Sequence, residues 1–500
     1  LFRVCSPASF HDLGTYLIGR KEADEPVPFH ITIPIRSMQS PGGGEGRIFF
    51  DIVSEGECEL SELCFASDRP PAREVSVSLG ICTYRKEELL VPNLENLERH
   101  LASGRGRHVD RVFVVNNDSA ALRHPVIRSL AVRCPRIEIL DQRNLGGAGG
   151  FTRSLIESLE RSPATHHVML DDDVFFDPEV IDKVVLFLMY VGYDIAVGGQ
   201  MMNMKAPQVL YEGGAKLSRT GLLERVGVNI DCGRADTIGF FDQYREVDYN
   251  AWWFCAIPKR AVRAAGLPLN IFIRGDDFEY AIRLGEHGVP TVSLPGVYVW
   301  HEPFEQKTAA WLEYYNMRNR LIFCAAHAGA SGYEQLDRRF YQDFCDGSVA
   351  EGDYEKLAAT LLAVADFLAG PDPHFSRDAE ENHAALRELL GLVRSERGLL
   401  ATGPGYDTVS AAMRSRIAGF DRYLAAAGEA TPWDHSGPIE ETGRAGVRQL
   451  WEVLANAVLS ALEEEVGAAT LLWGERTPSY ASFEYWAQVF GRRPDELAAE

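Results

Sequence analysis

A chain of 500 residues is longer than one hydrophobic core usually supports, so we expect more than one domain. Its content of 46% hydrophobic and 10% aromatic residues argues against an intrinsically disordered chain. The formal net charge of −22 argues against a nucleic-acid-binding protein, since such proteins need a basic surface to displace counterions.

The cysteines and the hydropathy pattern predict a soluble, cytoplasmic protein. Nine cysteines are scattered without a CxxC pair, which fits reduced thiols better than a zinc site or a disulfide framework. The longest apolar run, residues 184–199, is interrupted by Asp194 and falls short of the roughly 18 residues of a membrane span. The first residues lack the pattern of a signal peptide. Contact of a local patch with the inner face of the cell membrane stays open.

Residues 1–73 predict a small β-sandwich module. Strands are expected at residues 29–35 and 47–53, with a turn at residues 40–44 between them. A proline-containing linker follows at residues 68–71. This module could bind sugar or serve only packing, and its residues do not distinguish the two.

From residue 74 onward, strands and helices alternate, which predicts an α/β domain with a parallel sheet. Strands are expected at residues 75–84, 109–115 and 136–140, with an amphipathic helix at residues 89–101. Each strand ends in polar residues, and ligands of open parallel sheets bind outside those ends. The outline is typical of nucleotide-binding proteins without identifying the nucleotide.

A glycine-rich turn with the sequence NLGGAGG occupies residues 144–150 and leads into a helix expected at residues 151–161. It matches neither GxGxxG nor the P-loop, so neither dinucleotide nor P-loop binding is supported. It is either a tight turn without a ligand or a close approach of the backbone to a nucleotide sugar.

An apolar run at residues 166–170 ends in three consecutive carboxylates. Along an extended chain Asp171 and Asp173 point to the same side. Paired carboxylates at a strand end are suitable ligands for Mg²⁺ or Mn²⁺. A solvated acidic turn before the next helix is the alternative, and these residues alone favour it. The remaining motifs favour the metal site.

Four later motifs carry further candidates. Glu212 lies in a turn-rich segment that could close over a substrate. Trp252 and Trp253 are expected in a strand, so either one is a sugar-stacking platform or both belong to the core. The pair Asp276-Asp277 opens an amphipathic helix, where capping is the simpler alternative to catalysis. His301 ends a strand beside a glutamate and is a candidate ligand.

Residues from about 310 to 500 are expected to be mostly helical and to serve packing, oligomerisation or acceptor guidance. They carry no recognisable catalytic constellation. The helices are predicted at residues 354–368, 379–397, 410–426 and 446–465.

The order of these motifs over about residues 75–325 resembles the inverting family-2 glycosyltransferases of the GT-A fold. More narrowly, it is similar to the bacterial galactofuranosyltransferases that extend mycobacterial cell-wall galactan. The motifs are Thr83-Tyr84-Arg85, Asn116-Asn117, residues 144–150, Asp171-Asp172-Asp173, Trp252-Trp253, Asp276-Asp277 and Trp300-His301-Glu302. The resemblance implies a central GT-A (Rossmann-like) domain at residues 74–325, between the β-sandwich module at residues 1–73 and a helical C-terminal domain at residues 326–500.

The resemblance also implies roles for individual residues. Asp171, Asp173 and His301 would hold Mn²⁺ or Mg²⁺, and Asp277, with Asp276 as the alternative, would be the general base. Residues implied in the binding of the uridine diphosphate sugar and its acceptor are Arg85, Asn117, Asn144, Gly146, Gly147, Asp172, Glu212, Trp252 and Trp253.

The implied reaction moves galactofuranose from UDP-galactofuranose to a hydroxyl of a glycan, with a polyprenyl-linked acceptor and self-association through the helical region as further expectations. Three alternatives stay open. The same fold could use another donor such as dTDP-rhamnose, the chain could be a catalytically silent carbohydrate-binding scaffold, or it could be a nucleotidyltransferase.

Overall fold

The structure is a computed structural model that describes residues 2–6, 11–16, 28–32, 49–52, the positions 56, 57, 59 and 61, and most of 66–493. Within the last stretch, residues 235, 243–244, 305–308, 330, 396–403 and 431–438 lie outside the described part. The turn predicted at residues 40–44 and the end of the strand predicted at residues 29–35 also lie outside it.

The first strands form one small antiparallel sheet. β1 (Phe2–Ser6) pairs with β2 (His11–Tyr16) on one side and with β3 (Phe49–Ile52) on the other. β3 confirms the strand predicted at residues 47–53. Residues 28–32 form no strand, so the strand predicted at residues 29–35 is wrong over its described part. The described residues here contain a single sheet, and the predicted β-sandwich is not confirmed.

Strands from residue 77 onward build the main sheet and a short ribbon. They are β4 (Val77–Thr83), β5 (Val109–Asn116), β6 (Ile137–Asp141), β7 (His166–Asp171), β8 (Phe175–Phe176), β9 (Ala196–Asn203), β10 (Ala206–Glu212), β11 (Ala215–Leu217), β12 (Leu223–Arg225), β13 (Ile230–Asp231), β14 (Phe254–Pro258) and β15 (Thr291–His301).

Helices flank this sheet. They are α1 (Glu87–Ala102), α2 (Pro125–Arg133), α3 (Gly146–Arg161), α4 (Glu179–Tyr190), α5 (Lys259–Ala265) and α6 (Asp276–Glu286). The next helix, α7 (Ala310–Ala326), packs with helices of the C-terminal part.

The main sheet is mixed, with a parallel half that confirms the expected α/β architecture. Its order is β13–β10–β9–β14–β7–β4–β5–β6, and β15 pairs with β9 and β8. The strands β7, β4, β5 and β6 run parallel, whereas β14 is antiparallel between β7 and β9. β4 and β7 are buried almost throughout, which explains their near-continuous apolar sequences. The carboxyl ends of the parallel strands therefore share one edge, where the polar residues collect.

The C-terminal part is helical, as predicted. Its helices are α8 (Arg338–Glu351), α9 (Tyr354–Leu368), α10 (Pro371–Ser376), α11 (Ala379–Ser395), α12 (Pro404–Arg414), α13 (Phe420–Ala430), α14 (Ile439–Tyr480) and α15 (Phe483–Val489). The single helix predicted at residues 410–426 is two helices, because the chain turns between them with Gly419 at φ +67°. Among the described helices, none combines the length and the apolar content needed to cross a membrane.

The helices α7, α9 and α14 share one hydrophobic core with the segment that precedes α6. Leu269, Ile271 and Phe272 of that segment are buried in this core. The helical region therefore packs directly against the stretch of chain that leads to the acidic pair at the start of α6.

Candidate active site

Asp171, Asp173 and His301 lie together at the carboxyl edge of the sheet. β7 ends at Asp171, the chain turns, and β8 pairs with the end of β15, so that Phe175 lies opposite Trp300. This pairing brings His301 Nε2 to 3.1 Å from Asp173 Oδ1. One ligand atom from each of the three residues lies within 4.8 Å of the other two. The residues predicted as metal ligands are thus brought together.

Lys86 was not predicted as a site residue, yet its ammonium group lies at this cluster. Lys86 Nζ is 2.7 Å from Asp173 Oδ2 and 3.9 Å from Asp172 Oδ1. Asp172 is buried, and burial raises the pKa of its carboxyl to about 7 even though Lys86 lowers it. A cation therefore already balances part of the negative charge. The available sequence signal was a basic pair directly after β4.

Asp276 and Asp277 open α6, immediately after Gly275 at φ +86°. Asp277 Oδ1 accepts a hydrogen bond from the backbone N–H of Phe278 at 2.8 Å. Burial raises the pKa of Asp277 to about 6, and burial together with Asp277 raises the pKa of Asp276 well above its usual range. Asp171 raises both pKa values, which relates the pair to the ligand cluster. A fully solvated acid would keep a pKa of about 4, so these two carboxyls differ from those of a solvent-exposed acidic turn.

The glycine-rich turn packs against the segment before this acidic pair. Gly146 has φ +69°, and a Cβ there would lie 2.0 Å from the carbonyl oxygen of Phe272. That oxygen accepts a hydrogen bond from Ala148 N at 3.0 Å. A Cβ on Gly147 would be 3.5 Å from Asp276 Oδ2. The turn and the acidic pair therefore form adjacent walls of one site.

Asn117 and Asn144 bond the backbone of this turn. Asn117 Nδ2 donates to the Gly146 carbonyl at 2.5 Å, and Asn117 Oδ1 accepts from Leu145 N at 3.3 Å. Asn144 Oδ1 accepts from Gly146 N at 3.0 Å, and α3 begins at Gly146 rather than at the predicted residue 151. Both amides shape the turn, and their direct contact with a nucleotide stays a prediction.

Arg85 lies at the end of β4 but is directed away from the acidic cluster. Its side chain is 66% exposed, and Nε is 2.5 Å from Asp118 Oδ2. Its backbone is left-handed, with φ +55°, so Arg85 and Lys86 diverge. The predicted contact of Arg85 with a diphosphate stays a prediction.

Glu212 ends β10 as a buried acid near Asp277. It is 4% exposed, and its Oε1 has no hydrogen-bond partner among the described residues. Burial raises the pKa of Glu212 to about 8, with Arg225 opposing and Asp277 adding to the rise. The carboxyl is therefore mostly protonated at pH 7 and can donate a hydrogen bond into the site.

Trp252 and Trp253 require a correction. They lie in the turn before β14 rather than in a strand, and they are 5% and 1% exposed. Trp252 packs edge-on against Phe151 at 5.3 Å, and Trp253 Nε1 donates to the Gly199 carbonyl at 2.7 Å. Both rings belong to the core, which was the alternative interpretation. Neither offers an open face for stacking on a sugar.

Arg318 and Asn319 of α7 were also not predicted, although both contact the segment that carries the acidic pair. They are each 1% exposed. Asn319 Nδ2 donates to the Arg274 carbonyl at 2.6 Å, and Arg318 Nη2 donates to the Ile271 carbonyl at 2.8 Å. No distinct signal marked them in the sequence, because α7 also carries Glu313, Asn316 and Arg320.

Comparison with known proteins confirms the resemblance to family-2 glycosyltransferases. The galactofuranosyltransferase GlfT2 of Mycobacterium tuberculosis is 28% identical over 71% of this chain and 57% of its own length. GlfT2 of Mycolicibacterium smegmatis is 30% identical over 73% of this chain and 57% of its own length. The chain thus spans less than two thirds of the length of these relatives.

Solved structures match this chain with lower sequence identity than these relatives do. TarS of S. aureus in complex with UDP is 13% identical over 65% of this chain and 93% of that chain, with a TM-score of 0.37. The fold assignment accordingly depends on the sheet topology and on a family model, described as glycosyltransferase like family 2, that matches residues 72–323. Because that match covers about half of the chain and contains the whole acidic edge, the chain belongs to glycosyltransferase family 2.

Proposed function

We propose that this chain is an inverting, metal-dependent glycosyltransferase that moves galactofuranose from UDP-galactofuranose to a hydroxyl of a glycan. The observation that carries the proposal is the meeting of a ligand cluster (Asp171, Asp173 and His301) with an acidic pair, of which Asp276 is buried and Asp277 half-buried, at one sheet edge. The choice of sugar is supported by relatives named galactofuranosyltransferases. A polyprenyl-linked acceptor, contact with the membrane surface and self-association are further parts of the proposal, and only the family resemblance supports them.

The ligand cluster fits a divalent metal ion. Two carboxylates and one imidazole form an oxygen and nitrogen donor set that suits Mn²⁺, and the carboxylates also suit Mg²⁺. The ammonium group of Lys86, 2.7 Å from Asp173, supports the idea that this position favours positive charge. When bound, the ion would supply positive charge to the leaving diphosphate.

Asp277 is proposed as the general base. Its carboxylate accepts the proton of the acceptor hydroxyl while the hydroxyl oxygen forms a bond to the anomeric carbon. On the opposite face the bond from the anomeric carbon to the phosphate oxygen breaks, and UDP leaves with the electron pair. The products are an inverted glycoside, UDP and a proton on Asp277. Lys86 and Arg85, at the end of β4, would place positive charge near the diphosphate.

Glu212 is proposed to bind a sugar hydroxyl. As a mostly neutral carboxyl at pH 7, Glu212 can donate one hydrogen bond and also accept others, whereas a carboxylate can only accept them. Its burial without a partner at Oε1 would cost free energy unless a ligand hydroxyl satisfies that atom. The same neutrality makes Glu212 a poorer base than Asp277 at pH 7.

The test is a donor panel with the 500-residue chain and Mn²⁺. The donors are UDP-galactofuranose, UDP-galactopyranose and dTDP-rhamnose, each with a galactofuranosyl disaccharide acceptor, and nucleoside diphosphate release is measured. We expect turnover of UDP-galactofuranose alone, abolished in Asp277→Asn. Turnover confined to dTDP-rhamnose would overturn the donor, pyrophosphate release would indicate a nucleotidyltransferase, and silence with every donor would favour a binding scaffold.

Metal dependence has its own prediction. The unaltered chain should bind UDP more tightly in the presence of Mn²⁺. Asp173→Asn removes a carboxylate ligand of the ion, so this variant should bind UDP equally weakly with and without Mn²⁺. Isothermal titration measures both. Asp177→Asn is the matched control, because Asp177 is an exposed acid that caps α4 and Asn caps equally well. Equal Mn²⁺ enhancement in Asp173→Asn and in the control would contradict the metal site.

A further inference from the structure

The segment just before the acidic pair holds an unfavourable backbone conformation. Phe272 and Arg274 have φ +72° and +68°, although neither is glycine, and Gly275 follows at +86°. Bulky residues in the left-handed region persist only where the surrounding structure over-determines them. Since Asp276 is the next residue, whatever holds this segment also sets the direction of the acidic pair.

The side chain of Asn319 contacts the segment at three carbonyl oxygens. Its Nδ2 lies 3.2 Å from the Ile271 oxygen, 2.8 Å from the Ile273 oxygen and 2.6 Å from the Arg274 oxygen. Its Oδ1 accepts from Arg318 Nε at 2.9 Å, which fixes the orientation of the amide. Carbonyl oxygens aimed at one point need a donor there, and Asn319 supplies it.

The ring of Phe272 is held by the helices as well. It stacks on Tyr315 of α7 at 5.3 Å and on His383 of α11 at 4.8 Å. Tyr315 Oη and His383 Nδ1 are themselves 3.1 Å apart. The left-handed residue Phe272 is therefore clamped between two helices, one of which belongs to the C-terminal helical region.

A buried polar chain extends from Arg318 into that region. Arg318 Nη1 donates to Tyr314 Oη at 2.9 Å, and Tyr314 Oη donates to Asp366 Oδ2 of α9 at 2.5 Å. Asp366 is 2% exposed and is neutralised at Oδ1 by Arg377 at 2.6 Å and by Arg416 at 2.8 Å. Arg318, Tyr314 and Asp366 each have a charged or hydrogen-bonded partner, whereas Arg416 has an ion-pair partner but leaves Nη1 without a hydrogen bond among the described residues.

We propose that Asn319 and Arg318 are positioning residues. They hold the segment at residues 271–275 and thereby set the direction of the acidic pair that follows it. Tyr314 and Asp366 connect Arg318 to the C-terminal helices, so those helices support the segment as well. The inference rests on the proposed transferase function only for its kinetic readout. The helices thereby contribute to the rate of the chemical step through the geometry of the base. A misplacement of about 1 Å at a reacting group can cost about 100-fold in rate.

The experiment compares two buried tyrosines that each lose one hydroxyl. Tyr314→Phe removes the link between Arg318 and Asp366. Tyr341→Phe removes a contact with Arg320 Nη2 at 3.5 Å, and the described hydrogen bonds of Arg320 reach Met317 and Tyr341 but not residues 271–275. Both side chains are 1% exposed, so the two changes are matched in burial. Asn319→Ala completes the set. The readouts are kcat and KM for UDP-galactofuranose, and hydrogen–deuterium exchange of the peptide at residues 271–280.

We expect Tyr314→Phe to lower kcat about tenfold and Asn319→Ala about 100-fold, with donor KM within about twofold, and Tyr341→Phe to leave both constants unchanged. Exchange at residues 271–280 should rise in the first two variants only. Equal exchange and equal kcat in Tyr314→Phe and Tyr341→Phe would overturn the proposal, even if Asn319→Ala does not fold. If the unaltered chain turns over no donor, the proposed function fails and the exchange comparison alone decides this inference.

Discussion

The identity of the base is tested most sharply by the pH dependence of kcat/KM, because half-buried Asp277 and buried Glu212 have different pKa values. Burial raises the pKa of Asp277 to about 6 and that of Glu212 to about 8. A base acts only when deprotonated, so the rate falls as the pH drops through its pKa. With a pKa of about 6, Asp277 is about 90% ionised at pH 7 and about 10% at pH 5. We therefore expect a roughly ninefold loss over that interval and a level rate above pH 7.

If Glu212 were the base, the same calculation would place the change in rate at higher pH. With a pKa of about 8, Glu212 is about 10% ionised at pH 7 and about 90% at pH 9, which gives a roughly ninefold rise there. A bound cation near Asp171 adds positive charge and lowers a neighbouring carboxyl pKa. It therefore shifts the fall expected for Asp277 to lower pH and never toward 8.

The assay follows UDP release at UDP-galactofuranose well below its KM, with saturating Mn²⁺, from pH 5 to pH 9. Asp277→Asn should lose about 10²- to 10⁴-fold in kcat/KM, and its residual rate should be independent of pH between 5 and 7. Glu212→Gln keeps a neutral side chain and should retain the low-pH fall. A rate that still rises about tenfold between pH 7 and pH 9, or an Asn variant within tenfold of the unaltered chain, would refute the assignment of Asp277.

Two further predictions concern charge near the site. Lys86→Met removes an ammonium group that competes with a metal ion for Asp173. Mn²⁺ alone should therefore bind this variant about three- to tenfold more tightly, as measured in a titration followed by electron paramagnetic resonance. Unchanged or weaker Mn²⁺ binding would contradict the competition. The second prediction concerns His327. Burial lowers the pKa of this imidazole, but hydrogen bonds to Glu279 and Glu286 outweigh burial and hold the pKa above its usual range. The stabilisation is full below the unfolded pKa of about 6.5 and is lost as the pH rises through the raised folded value. The urea midpoint of His327→Gln should thus fall furthest below that of the unaltered chain at pH 6, and a gap that widens by pH 8.5 contradicts the account.

Strand ends explain why part of the site could be predicted from the sequence. A strand buried on both faces is almost continuously apolar, so the first carboxylates after it mark the carboxyl edge of a parallel sheet. Asp171 and Asp173 follow β7 in this way, and His301 ends β15. These three residues come together because the short strand β8 pairs with β15. β8 has only two residues, which are too few to show a periodic pattern in the sequence.

Local backbone conformation explains two features of the site that were not predicted. The left-handed φ of +55° at Arg85 turns the chain, so the basic residue at the acidic cluster is Lys86 and not its neighbour. Trp252 and Trp253 were assigned to faces of a strand by alternation, but β14 begins only at Phe254. Neither turn has a proline or glycine to signal it, so composition gave no warning.

Long-range packing explains the omission of Asn319. It lies 45 residues beyond the Arg274 carbonyl that it holds, on a helix whose polar positions could equally have faced solvent. The core that contains Leu269, Ile271 and Phe272 is completed by α9 and α14, which lie beyond the predicted boundary between residues 325 and 326. A chain ending at that boundary would keep the metal ligands, the acidic pair and Asn319, but it would lose the packing of α9, α11 and α14 behind the left-handed segment. The helical region therefore packs against the stretch of chain that leads to the acidic pair.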